Sequence, residues 1–210
     1  RYSDFPKYRL PSQFLLILST KSPLLFFACQ FGTHTAGQLG LALTMLAMPM
    51  TLFGQTTGKA YYAEIARIGC KYPEKIHKVT KSMIQKLFFI SIFPFLILLI
   101  FGPWFFEALF GDIWKEAGIF ASILAVYLLP QFVSSPLVNS LVVFNKQWVF
   151  LFINIIRLLL IFLTFGTSII FHISPIDTLL LYSIIMSIYY SCILIIITKI
   201  IYAQFKNIYN

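Results

Sequence analysis

Apolar residues in this chain come in long runs separated by short polar links. Six runs stand out, at about 11–31, 35–62, 84–101, 117–139, 148–171 and 176–202. A membrane-crossing helix needs about 20 mostly apolar residues rising about 1.5 Å each. The runs match that length, and none alternates with the period of two that a membrane barrel strand requires. The pattern predicts an all-α integral membrane protein, a single bundle of six transmembrane helices over residues 1–210.

The polar links divide by charge. Arg1, Lys7 and Arg9 precede the first run, Arg67, Lys71, Lys75, Lys78 and Lys81 link the second to the third, Lys146 links the fourth to the fifth, and Lys206 lies in the tail. With six crossings all of these fall on one side. The opposite links hold the sequence FGTHTAG, then Glu107, Asp112, Lys115 and Glu116, then Asp177. Cations gather on the cytoplasmic side of membrane proteins, so both ends of the chain are expected in the cytoplasm. The basic connector, about 67–83, continues into a stretch where Ile76, Val79, Met83 and Leu87 recur at helical spacing among Lys75, Lys78, Lys81 and Lys86. That suits either an amphipathic helix on the inner headgroups, its lysines holding anionic lipid, or a solvated connector that sets orientation.

Composition agrees with the runs. Hydrophobic residues make up 59% and charged residues 11% of the chain, with mean hydropathy +0.86. A soluble domain has about 25% charged residues. The net charge of +9 therefore reflects membrane orientation, and nucleic acid is not an expected partner. Cys29, Cys70 and Cys192, and His34, His77 and His172, are dispersed without metal-ligand spacing, so no metal site is expected. No nucleophile elbow, zinc-protease motif, P-loop or paired intramembrane carboxylates occur, so neither an enzyme nor a bound cofactor is expected.

Two cations break the apolar pattern. Lys21 lies about ten residues into the first run and Arg157 about nine residues beyond Trp148 in the fifth, which puts both about 15 Å deep, near the bilayer midplane. A cation there costs at least about 2.5–3.5 kcal/mol and nearly always faces a bundle interior or a wet cavity. No Asp or Glu lies at that depth in the six runs. An anionic ligand, a carboxylate supplied from beyond this sequence, or snorkelling to the interface would each answer the charge. Asn154 lies one turn before Arg157 on the same face and is placed to share a ligand. In the second run Gly37, Gly40, Thr44, Thr51, Gln55, Gly58 and Tyr62 recur at spacings of three, four and seven. This stripe fits a substrate-lined wall or close helix packing through small residues. Pro23, Pro49, Pro94 and Pro130 fall within runs, where proline bends helices.

Three stretches carry a family resemblance. The first is FGTHTAGQLGLALTMLAMPMTLFGQTTGKAYYAEIAR. The second is FGPWFFEALFGDIWKEAGIFASIL, with Gly102-Pro103, Phe106, Phe110-Gly111, Trp114 and Ala117-Gly118. The third is SSPLVNSLVVFNKQ, with Ser135-Pro136-Leu137. In order and spacing they resemble the second half of polysaccharide flippases of the multidrug/oligosaccharidyl-lipid/polysaccharide exporter superfamily. The resemblance implies one six-helix lobe of a two-lobed transporter in the bacterial inner membrane, with an N-terminal lobe of the same chain preceding it. It also implies alternating access that carries undecaprenyl-pyrophosphate-linked O-antigen or other polysaccharide units, with membrane lipids as the surroundings. Lys21, on a cavity-facing helix, and Arg157 would then meet the anionic headgroup; this is carried over by location, since neither lies in a matched motif. A multidrug or metabolite exporter of the same superfamily and a non-transporting scaffold of a polysaccharide-assembly complex are the alternatives.

Overall fold

The computed structural model describes residues 4–69, 72–143 and 146–209, with side chains described except at 4–9, 73, 142, 147 and 204–209. Arg1, Cys70 and Lys71, and the side chains of Lys7, Arg9 and Lys206, lie outside the described set. The elements are α1 (Asp4–Pro49), a π-helical turn (Met50–Gly54), α2 (Gln55–Ile68), α3 (Pro73–Phe110), α4 (Lys115–Ser134), α5 (Ser140–Val143), α6 (Gln147–Ile170) and α7 (Pro175–Tyr209). Short 3-10 turns at Asp112–Trp114 and Ser135–Asn139 flank α4. Among the described residues there is no strand. Five stretches of these residues are long and apolar enough to cross a membrane: Leu10–Ile68, Glu74–Phe110, Asp112–Asn139, Trp148–Ile170 and Pro175–Ala203. The chain is an all-helical, multi-pass membrane protein whose apolar outer surface meets lipid.

The first stretch contains two of the predicted runs. Its 59 residues would extend about 88 Å as a straight helix, against a hydrocarbon core of about 30 Å. It is not straight. Gly32 takes φ 85° and ψ 171°, a conformation that residues with a Cβ rarely adopt. A Cβ on Gly40 would lie 3.6 Å from Leu24 Cδ1, although a straight helix would hold residues 24 and 40 about 24 Å apart. The two arms of α1 therefore fold back on each other about Gly32. On the first arm Phe26 stacks on Phe165 of α6, with centroids 5.1 Å apart, and Phe27 meets Phe120 of α4 edge-on at 6.0 Å.

Helix α3 is longer than the apolar run at 84–101. It continues without a break from Pro73 to Phe110 over 38 residues, about 57 Å. The lysine-rich stretch is thus the first part of a spanning helix and not a separate surface helix. Ile76 and Leu87 are buried, Val79 and Met83 pack against the core, and Tyr61 and Thr80 share a hydroxyl–hydroxyl hydrogen bond of 2.7 Å. The apolar stripe faces protein, while Lys75, Lys78, Lys81 and Lys86 are exposed. The other end of α3 runs through Gly102 and Pro103, residues that read as a terminus by composition. Neighbouring helices let a membrane helix keep an internal proline.

Helix α4 is central, packing on α1, α3 and α7, with 11 of its 20 residues buried. Its crossing with α3 is backbone on backbone. A Cβ on Gly118 would lie 2.6 Å from both Gly102 O and Pro103 Cα, and one on Gly102 would lie 2.8 Å from Gly118 O. Small residues permit such approach, and packing then holds membrane helices together. Ser122 adds a hydrogen bond of 2.9 Å to Leu98 O across the seam. Gly111 (φ 92°) ends α3, and Trp114 packs half-buried against the core. Gln38, 2% exposed, clasps the start of α4: its Nε2 donates to Ile113 O at 2.8 Å and its Oε1 accepts from Ala117 N at 3.1 Å. Most of the glycine-rich motif thus builds a turn and a helix crossing. Pro136 is buried too, its Cα 3.5 Å from where a Gly58 Cβ would stand.

Candidate functional site

The strongest candidate is a cleft of about 370 Å³. The first arm of α1 contributes Gln13 to it, and the π-helical turn and start of α2 contribute Thr51 and Gln55. The end of α4 and the following turn add Gln131, Ser134, Ser135 and Asn139, α6 adds Asn154 and Arg157, and α7 adds Tyr189 and Tyr190. It therefore lies in the half of the helical bundle where α4 ends and α6 begins, the half where Lys146 lies. Pro49 precedes the irregular turn that lines it. Proline removes a backbone donor, and π turns often accompany functional sites.

Arg157 is only 8% exposed. Among the described lining residues it is the one cation, and none is a carboxylate. Its Nε is buried without a hydrogen-bond partner, as are Tyr190 OH and Gln131 Oε1. The guanidinium carbon lies 5.8 Å from the Tyr190 ring centroid, within the range of a cation–π attraction. Tyr127 and Tyr190 stack with centroids 6.3 Å apart, Tyr127 meets Tyr182 edge-on at 5.5 Å, and Tyr189 meets Tyr190 at 5.1 Å. Aromatic faces offset part of the charge, and the donor without a partner remains. A buried cation costs free energy until something anionic or hydrogen-bonding meets it.

The residues singled out in the sequence divide on this geometry. Arg157 and Asn154 share the cleft, as their spacing predicts; Asn154 is 2% exposed and spends one amide hydrogen on Phe150 O at 3.0 Å. Thr51 and Gln55 join them. Lys21 does not line this cleft; it is exposed on the first arm of α1, on the face that also exposes Phe14, Ile17 and Leu25. Thr44 is also exposed outside the cleft, its hydroxyl donating to Gly40 O at 2.7 Å. The polar stripe is not one face, because the wider π turn at Met50–Gly54 shifts the residues beyond it out of register. Gly40 and Gly58 pack against side chains, and Gly37 faces open space.

The tyrosines around Arg157 are the site feature that sequence reasoning missed. Tyr182, Tyr189 and Tyr190 recur at seven and eight residues, which places them on one helical face; that spacing was the available signal. Compared with family models, with curated proteins and with solved structures, the chain matches none.

Proposed function

We propose that the chain is one lobe of a flippase that carries a lipid-linked, anionic oligosaccharide across the bacterial inner membrane, the cleft at Arg157 receiving the phosphate-bearing headgroup. The observation that carries the reading is the buried guanidinium, its Nε unpartnered, in a cleft whose other described polar groups are amides and hydroxyls. Guanidinium suits phosphate oxygens, and amides and hydroxyls suit sugar hydroxyls. The resemblance of the glycine-proline, tryptophan and serine-proline stretches to polysaccharide flippases points the same way. The fold-back at Gly32 supports counting the first apolar stretch as two crossings, six in all, with both ends cytoplasmic. On that count the cleft opens in the cytoplasmic half, where a lipid-linked saccharide is assembled. Lys21 is exposed and belongs to a face that a second lobe would cover, completing a central cavity. Rocking of two lobes about a site near mid-depth then transfers the headgroup, while the polyprenyl tail stays in lipid. Export of cationic drugs fits less well, since the cleft would meet such a substrate with a cation.

The test is export in cells whose surface polysaccharide depends on the full protein carrying this chain. Arg157→Gln, inserted at normal levels, is expected to abolish surface polysaccharide, and Arg157→Lys to retain part of it. Undiminished polysaccharide with Arg157→Gln overturns the reading.

A further inference from the structure

We propose that a second crevice, between the start of α3 and the end of α7, binds the headgroup of an anionic phospholipid. This site is separate from the Arg157 cleft and does not depend on what the protein transports. Its volume is about 290 Å³, and it is lined by His77, Lys81, Ile84 and Gln85 of α3 and by Thr198 and Ile201 of α7. The lining thus combines a cation, an imidazole, an amide and the hydroxyls of Thr80 and Thr198 with two isoleucines; both hydroxyls donate to carbonyls of their own helices, and the exposed wall is mostly apolar. Lys78 is exposed one turn before Lys81, and Lys75 and Lys86 are exposed along the same helix. The ion pairs among the described residues are Arg67 with Glu64 and Lys115 with Glu107, and Lys75 Nζ lies 5.1 Å from the Tyr72 ring centroid.

Depth selects a lipid over a soluble anion. Immediately beyond the crevice α3 exposes Phe88, Phe89, Ile90 and Phe93, an apolar wall that begins where the lysines stop. Cations followed by apolar surface along one helix is the order of a phospholipid, phosphate first and acyl chains after. Basic pockets between helices on the cytoplasmic side bind anionic headgroups for the same reason. A free phosphate or a nucleotide would gain nothing from the phenylalanine wall.

Native mass spectrometry of the purified protein in detergent tests this, with dioleoyl-phosphatidylglycerol and dioleoyl-phosphatidylcholine offered at equal concentration. Preferential retention of the phosphatidylglycerol is expected. Lys78→Gln with Lys81→Gln should lower its affinity roughly tenfold or more. Lys115→Gln, which removes a charge at the other end of α3's partner helix, should leave it unchanged. Thr198→Trp, which fills the crevice without changing charge, should also lower it. Both lysines are exposed, so the double variant keeps its fold. Equal retention of the two lipids overturns the proposal. So does an equal loss with Lys115→Gln, or full retention in the folded Thr198→Trp variant.

Discussion

The α3/α4 crossing and the Arg157 cleft are both conspicuous in the sequence, and they are physical opposites. At the crossing, Gly102 and Gly118 bring two backbones so close that an added Cβ would fall within 3 Å of backbone atoms. Ser122 spends its hydroxyl on that seam, and Gln38 of α1 spends both its polar atoms on the turn and start of α4 beside it. In the cleft, Arg157, Tyr190 and Gln131 each bury a polar atom without a partner. One region is filled and satisfied; the other is open and unsatisfied. A protein that needed only stability would not keep the second, because a buried polar group without a partner costs about 1–3 kcal/mol. The contrast separates residues that hold the bundle together from residues whose polar atoms it leaves unmet.

Substitutions can break that contrast in descending order of effect. Gly118→Val forces a branched side chain against the Gly102 and Pro103 backbone and is expected to destabilise by about 3 kcal/mol, read as a lower unfolding midpoint by circular dichroism in detergent. Gln38→Leu leaves the buried Ala117 amide and the part-buried Ile113 carbonyl without their partner and should cost about 2 kcal/mol in the same assay. Arg157→Met should move the other way, neutral or stabilising by about 1 kcal/mol, with export lost if the proposed function holds. A large destabilisation by Arg157→Met would make the cleft a structural site and erase the contrast. Lys21→Gln should change stability by less than about 0.5 kcal/mol, as exposed substitutions do, and, on the proposed function, lower only the rate of export.

Much of the fold is legible because a bilayer demands unbroken apolar length. The predicted turn at FGTHTAG is the break at Gly32, whereas Lys75 and Lys78, read from the sequence as part of a link, lie in α3. What hydropathy hides is helix that continues outside the apolar run. The lysine-rich start of α3 and its passage through Gly102-Pro103 look like ends, yet backbone hydrogen bonding carries the helix through both. The site is less legible because the rotation of a nearly uniform apolar helix is set by its neighbours, and a sequence does not display them. Arg157 announces itself by its cost, and Asn154 follows from helical spacing. Lys21 carries the same charge at the same predicted depth, yet packing turned one cation inward and left the other exposed. The tyrosines around Arg157 pass for ordinary interfacial aromatics until the fold gathers them.

The most direct measurement is ligand-induced stabilisation of the purified protein by farnesyl pyrophosphate, with farnesol as the uncharged control. Binding to the folded state alone stabilises by about 2.7 kcal/mol at a ligand concentration of 100 Kd. The account predicts that farnesyl pyrophosphate raises the unfolding temperature, that farnesol does not, and that Arg157→Gln removes the difference. Equal shifts from both compounds, or a pyrophosphate-specific shift that survives Arg157→Gln, would contradict it.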